Sequence, residues 1–338
     1  MTVIAEITRG ALVESSHLGS VAIVDTDATM VAWAGDPEKR LFFRSSAKAF
    51  QGIPLVASGA ADAYGFTTEE LALATASHNA TGRHQAVVAS MLAKAGLRET
   101  DLQCGTAPPL DEDEKAKVTL GLTPPTLIQC ECSGKHAGML ATCRHQGWPI
   151  ETYLDLDHPL QREIRAIVAG ACGVPDDTLD IATDGCSLPT FGAPLRAFAT
   201  AYAVLADPYD ASWERPRHDR AALDRLREAI VKHPELVSGN GEIDTTVMRV
   251  TGGKVVAKLG AEGLLCMAVP ERRLGIAITD SGGSTRSLGP GAVAVLGELE
   301  LVDQDTLMVL REKLCPPVTN FAGKSVGETR AVLQLERR

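Results

Sequence analysis

Lys254-Val255-Val256-Ala257-Lys258-Leu259-Gly260 is followed by Leu264 to Val269 and then by Leu274 to Thr279. These are apolar, partly β-branched runs of strand length, separated by turns such as Pro270-Glu271-Arg272-Arg273. They are strands that arrive late. The chain also begins with strands: Val3-Ile4-Ala5, Ser20 to Asp25, and Met30 to Ala34, the last two joined by Asp25-Thr26-Asp27 as a hairpin turn. Between these groups the apolar spacing becomes i, i+3, i+4, which predicts helices over 47–57, 69–75, 84–95, 134–146, 158–171, 191–206 and 219–232. Thr67 with Glu70 reads as a capping box for the second of these. Further helices are expected over 288–300 and 303–314, after the late strands. Strands at both ends with helices between them predict an α+β fold, its antiparallel sheet built from both chain ends and its middle a helical layer. The expected division is a discontinuous sheet domain, 1–44 plus 250–338, and a mainly helical domain, 45–249, with the active site between them. A doubly wound parallel sheet is disfavoured, because strands and helices do not alternate.

The chain has 338 residues, 45% of them hydrophobic and 22% charged, which excludes a disordered protein and supplies a core. Aromatics make up only 4%, so that core rests on Ala, Leu, Val and Ile. A net charge of −10 argues against a nucleic-acid binder, which needs a basic face to displace counterions from phosphates. No apolar run is long enough to span a membrane, and the first segment carries Glu6 and Arg9. A cytoplasmic location is expected, with the eight cysteines as reduced thiols.

Three short motifs occur in order. Ser45-Ser46-Ala47-Lys48 has the form S-x-x-K, which brings a hydroxyl and an amine to one face of a helical turn. A neutral Lys48 could take the Ser45 proton and make it a nucleophile. Alone the motif is weak: with 11 lysines, about half a match is expected by chance. Ser77-His78-Asn79 then has the form S-x-N, and Lys258-Leu259-Gly260 the form K-x-G on a strand. That order is the signature of the serine β-lactamases and penicillin-binding proteins, whose three elements line one acyl-transfer cleft. Two cysteines stand in glycine-rich turns before expected elements: Cys132 in Cys130-Glu131-Cys132-Ser133-Gly134-Lys135-His136, and Cys186 in Asp184-Gly185-Cys186-Ser187. Thiolates at such turns are acidified and can bind a metal, although the spacing is not that of a zinc finger. From spacing alone, two buried structural thiols in tight turns are the simpler explanation. The turn 239–245 reads as one that lines something rather than as a linker.

Taken together, these segments resemble the Rhizobium-type L-asparaginases, also called asparaginase II or thermolabile asparaginase. The resemblance rests on five ordered blocks: Arg44-Ser45-Ser46-Ala47-Lys48-Ala49-Phe50-Gln51, Ser77-His78, Cys132 to Leu140, Thr183 to Thr190, and Lys258 to Ala261. It implies a fold like that of the serine β-lactamases and glutaminases, and hydrolysis of L-asparagine to L-aspartate and ammonia. By this resemblance Ser45 is the nucleophile and Lys48 its base, with Ser77 and Lys258 as a second Ser/Lys pair. It further implies zinc held by Cys132, Lys135 and Cys186, supporting substrate binding rather than chemistry, and a homodimer. The substrate's polar groups would meet Arg44, His136 and Asp184. Ala49 stands where the family pattern often has Pro, which removes a constraint on φ next to Lys48. Two rivals are a β-lactamase or transpeptidase-like acyl hydrolase, and a non-catalytic zinc-binding module on the same fold.

Overall fold

The structure is a computed structural model that describes residues 1–209, 213 and 216–338. It divides into two compact units. The first comprises Met1–Ser46, Ala193–Ser212 and Gly241–Arg338, and the second Ala47–Gly192 and Trp213–Asn240.

The first unit is built on an antiparallel sheet assembled from both chain ends. Its N-terminal strands are β1 (Thr2–Arg9), β2 (Leu12–Asp25) and β3 (Met30–Ala34), and β4 (Arg40–Phe42) follows them. Next along the chain are β5 (Asp180–Thr183), in the second unit, and β6 (Pro189–Pro194), which begins there; the first unit's sheet resumes with β7 (Val256–Gly260), β8 (Leu264–Val269) and β9 (Leu274–Asp280). The C-terminus adds β10 (Val318–Thr319), β11 (Ser325–Gly327), β12 (Thr329–Ala331) and β13 (Glu336–Arg337). In the large sheet the order is β12-β1-β2-β9-β8-β7, with β3 and β13 continuing beside β2. The joint between the two ends is β2 against β9, registered from Gly19↔Asp280 to Asp25↔Leu274. β8 and β9 are buried along their whole length, as a central strand covered on both faces must be. The expected hairpin is present, with Val21 opposite Ala34 and Asp25 Oδ1 accepting from the Asp27 and Thr29 amides.

Helices cover both faces of this sheet. Leu195–Ala206 lies across β9, β2 and β8, and Leu288–Glu298 packs on β9, β1 and β12. The first contact is very close. A Cβ placed on Gly275 would stand 1.9 Å from the Ala199 carbonyl oxygen, so only glycine lets this helix seat on β9. Leu195–Ala206 therefore belongs with the sheet and not with the helical middle. The sequence division at 44/45 and 249/250 differs from the structure for this reason: Ala193–Ser212 and the start of Gly241–Arg338 join the sheet unit.

The second unit is helical, with Gly82–Lys94, Ser133–Gln146, Pro159–Cys172 and Arg217–Lys232 as its longest helices. The expected helix over 47–57 is two short helices, Lys48–Gln51 and Ile53–Ala57, meeting at Gly52. The expected helix over 191–206 starts later, because 189–194 is β6, which pairs with β5 from Asp180↔Gly192 to Thr183↔Pro189. The Thr67 capping box is present: its hydroxyl accepts from the Glu70 amide and the Glu70 carboxylate from the Thr67 amide. No helix among the described residues is long and apolar enough to cross a membrane.

Candidate active site

The segment before Lys48 is held from the sheet unit. Phe43 stacks on Phe198 with ring centroids 4.2 Å apart and meets Tyr202 edge-on. Arg44 follows with φ +48°, a left-handed conformation that costs a non-glycine residue free energy and marks a constrained site. A 3-10 turn, Arg44–Ala47, then carries Ser45 and Ser46. Ser46 is fully buried: its hydroxyl donates to the Lys258 carbonyl (3.1 Å), and its own carbonyl accepts from the Tyr202 hydroxyl (3.0 Å). Ser45 is half-buried beside it.

Lys258 lies on β7, buried, with its ammonium 3.5 Å from the Asp244 carboxylate and donating to the Leu259 carbonyl. Asp244 is wholly buried near the start of the helix Ile243–Val250, and its carboxylate also accepts from the Leu259 and Thr245 amides. One carboxylate thus fixes both the Lys258 side chain and the strand that carries it. The glycine of K-x-G has a steric reason: a Cβ on Gly260 would stand 2.9 Å from Ser46 Oγ and 3.2 Å from the Phe43 carbonyl oxygen. The sequence reading pointed to the 239–245 turn but did not single out Asp244. A buried Asp just downstream of a glycine-rich turn was the available signal.

In the helical unit, Lys48 is completely buried. Its amine donates to the Ala76 carbonyl (2.6 Å), the Ser77 hydroxyl (2.7 Å) and Cys132 Sγ (3.2 Å). Ser77 sits in a loop fixed by its backbone: the Ser77, His78 and Asn79 amides donate to the carbonyls of Val237, Glu131 and Ser238. The His78 ring, buried, pairs with the Ser133 hydroxyl at 2.9 Å and so ties this loop to the start of the helix Ser133–Gln146. Burial, with the charges of His84 and Lys48, pushes the His78 pKa down to about 3, so it is a neutral strut.

Cys132 and Cys186 are both buried, and Lys135, also buried, donates to Cys186 Sγ at 3.3 Å. Hydrogen bonds from the Cys130 and Cys186 thiols hold Cys132 well below the usual thiol range despite its burial, and Lys48 and Lys135 add to that. Cys186 is displaced upward by the same hydrogen bond and by burial. Burial would lower the Lys135 pKa, but the Cys186 and Cys132 sulfurs and the Asp184 carboxylate outweigh it and raise it. Asp184 is half-buried; it accepts from the Gly185 amide in the turn that presents Cys186. His136 does not reach a surface in this structure: it is fully buried, with Nδ1 2.6 Å from the Tyr153 hydroxyl. Its ring meets that of Tyr153 edge-on, with centroids 5.6 Å apart. Gly134 and Gly138, on the opposite face, let this helix lie against 73–74; a Cβ on Gly134 would meet the Leu73 carbonyl oxygen at 2.4 Å. Within the helical unit, then, Lys48, Ser77, Cys132, Lys135 and Cys186 form one connected polar cluster. Within the sheet unit, Ser46 is hydrogen-bonded to Lys258, and Ser45 is its neighbour in the same turn.

A family model described as L-asparaginase II matches residues 5–331. The chain belongs to the L-asparaginase II family. Among solved structures, this asparaginase II family chain is similar to Mglu in its tris and glutamate form, at 15% identity and a TM-score of 0.39, covering 89% of this chain. This chain spans only 64% of that one. It is similar also to a Bacillus glutaminase (13% identity, TM-score 0.38, 84% and 91% of the two chains covered). A Bacteroides dorei protein described as a candidate β-lactamase is similar at 11% identity and TM-score 0.41, with 82% and 93% covered. No curated protein matches the chain.

The family resemblance implies zinc, and the residues can be tested against it. No group of three or more His, Cys, Asp and Glu side chains among the described residues is arranged to hold a metal ion. The trio Cys132, Lys135 and Cys186 nevertheless fits zinc in donor type, two sulfurs and one nitrogen. The 3.3 Å from Lys135 Nζ to Cys186 Sγ is close to the ~3.5 Å edge of a zinc tetrahedron with Zn–N of about 2.0 Å and Zn–S of about 2.3 Å. The fit requires Lys135 to lose its proton to the incoming ion.

Proposed function

We propose that this protein hydrolyses L-asparagine to L-aspartate and ammonia through an acyl-enzyme on Ser45. The observation that carries the reading is Lys48, three residues after Ser45: a buried amine 2.7 Å from a second hydroxyl, Ser77, in a chain of the asparaginase II family. Ser45 Oγ attacks the side-chain amide carbonyl while Lys48, in the neutral amine form that this step requires, accepts its proton. Ser77 Oγ lies on the path by which that proton returns to the leaving ammonia. Backbone amides of the turn Arg44–Ala47 are candidate donors to the oxyanion, each worth about 3–4 kcal/mol of transition-state stabilisation. Water then cleaves the β-aspartyl ester. Lys258, 3.5 Å from Asp244, and Arg44 supply positive charge for the substrate carboxylate, and Asp184 negative charge for its ammonium.

Cys132, Lys135 and Cys186 would hold the zinc. When bound, the ion would supply a fixed positive charge that orients the substrate's polar groups. Elemental analysis of purified protein should find about one zinc per chain, and Cys186→Ser should lose it. The same variant should raise KM more than it lowers kcat. Metal-free protein with unchanged KM in Cys186→Ser would remove zinc from the account.

Ammonia release from L-asparagine, L-glutamine and D-asparagine tests the reaction itself. L-asparagine should turn over fastest. No release from L-asparagine, together with hydrolysis of a chromogenic β-lactam, would overturn the reading in favour of a β-lactamase-like enzyme.

A further inference from the structure

The Lys48 amine sits where two segments of the helical unit meet. It donates to the Ala76 carbonyl and the Ser77 hydroxyl on one of them, and to Cys132 Sγ on the other. The first segment is the irregular stretch 76–81, between the helices Thr68–Leu73 and Gly82–Lys94. The second is 128–133, which leads into the helix Ser133–Gln146. The distance from Ser77 to Lys48 therefore depends on how these two segments lie against each other.

His78 joins them twice. Its backbone amide donates to the Glu131 carbonyl at 3.0 Å, and its ring Nε2 lies 2.9 Å from the Ser133 hydroxyl. The other ring nitrogen gives the second bond its direction. Nδ1 accepts from the Ala80 amide at 3.1 Å, so the proton is on Nε2, which donates to Ser133 Oγ. Ser133 donates in turn to the Ile128 carbonyl at 2.8 Å. The Ala80 amide, the imidazole, the Ser133 hydroxyl and the Ile128 carbonyl form one directed chain.

The chain is dry and its members are held. His78, Ala80 and Ser133 are wholly buried, so water does not replace a donor or acceptor lost from it. Ala80 has φ +64°, a left-handed conformation that costs a residue with a Cβ free energy and persists where the surroundings impose it. The His84 ring stacks on that of His78, with centroids 5.1 Å apart and planes 15° from parallel, which fixes the plane of the donor. The backbone bond to Glu131 alone would leave the loop free to turn about one point. The ring bond supplies the second.

We propose that His78 is a positioning residue: its Nε2–H bond to Ser133 keeps the Ser77 hydroxyl 2.7 Å from the Lys48 amine. Its consequence for turnover rests on the Ser45–Lys48–Ser77 reaction proposed above. Being wholly buried, His78 acts through Ser77 and not on the substrate. A misplacement of about 1 Å at such a group costs on the order of 100-fold in rate.

Three variants of the full-length protein separate the hydrogen bond from the bulk of the ring. His78→Leu removes the donor, Ser133→Ala removes its acceptor, and His78→Gln places an amide N–H where Nε2 stood. In ammonia release from L-asparagine, kcat should fall at least about tenfold in His78→Leu and in Ser133→Ala, with KM changed less than about twofold. His78→Gln should recover most of that loss, which a space-filling role would not produce. Crystal structures of the unmodified and Ser133→Ala proteins give a readout that needs no turnover. The Ser77 Oγ–Lys48 Nζ distance should open beyond hydrogen-bond reach in the variant. If circular dichroism shows His78→Leu unfolded, Ser133→Ala and His78→Gln carry the comparison. Unchanged kcat in Ser133→Ala, equal losses in His78→Gln and His78→Leu, or an unchanged Ser77–Lys48 distance would each overturn the proposal. An unmodified protein that releases no ammonia, with that distance opened by Ser133→Ala, would leave the positioning role standing and remove the asparaginase reading.

Discussion

Asp244 and Lys258 show what a single buried charge pair does here. The Asp244 carboxylate is the counter-charge to an ammonium 3.5 Å away and also the acceptor for the amide of the next residue on β7. Removing one partner of a buried pair leaves the other charge uncompensated, which costs about 3–5 kcal/mol. Asp244→Asn should therefore destabilise the protein by about 3 kcal/mol in urea unfolding. Lys258→Met in the same chain should restore part of that loss, since the orphaned charge is then gone. Strict additivity of the two changes would show that the pair is not the source. At this scale the sequence was readable where a residue type has one use. Lys48, Ser77, Cys132, Lys135 and Cys186 were chosen from motifs and do lie in one cluster. Asp244 was not readable, because its partner is 14 residues away and on another element. His136 was read from its motif neighbours as a substrate contact; in the structure it is buried with Nδ1 2.6 Å from the Tyr153 hydroxyl, a partner 17 residues further on that no local pattern announces.

Two elements carry most of the fold's specificity. The helix Leu195–Ala206 seats on β9 only because position 275 has no side chain. Gly275→Ala should cost about 3 kcal/mol, the upper part of the overpacking range, and lower Tm by several degrees. A wild-type melting curve would mean that the helix can shift without loss. The capping box at Thr67 and Glu70 makes a second prediction. Burial pushes the Glu70 carboxyl pKa upward, but Lys94, the Thr67 amide and the Ser90 hydroxyl together hold it below its usual value. A carboxylate with a depressed folded pKa contributes stability above its unfolded pKa and loses it as pH falls through the folded one. Glu70→Gln should therefore cost about 1–2 kcal/mol at pH 7, and the difference from the unmodified protein should shrink below about pH 4.5. A gap that stays constant down to pH 3 would contradict this. The capping box was legible because both halves lie within four residues. The strand β6 was not, since its reason is pairing with β5 rather than any local period.

Across the whole molecule the chain passes between its two units four times, at 46/47, 192/193, 212/213 and 240/241. The first crossing falls inside the S-x-x-K motif, so Ser45 belongs to the sheet unit and Lys48 to the helical one. The sheet from both chain ends was legible, because β7, β8 and β9 announce themselves as strands after a helical middle. The allegiance of Leu195–Ala206 to that sheet was not, since it is decided by a glycine some 75 residues further on. The chemistry proposed for Ser45 is the central claim, and trapping its acyl intermediate tests it most directly. Protein quenched during turnover of L-asparagine should carry a β-aspartyl ester, found by mass spectrometry on the peptide containing Ser45 and absent from Ser45→Ala, which should release no ammonia. An ester on the Ser77 peptide, or full ammonia release by a folded Ser45→Ala protein, would contradict the account.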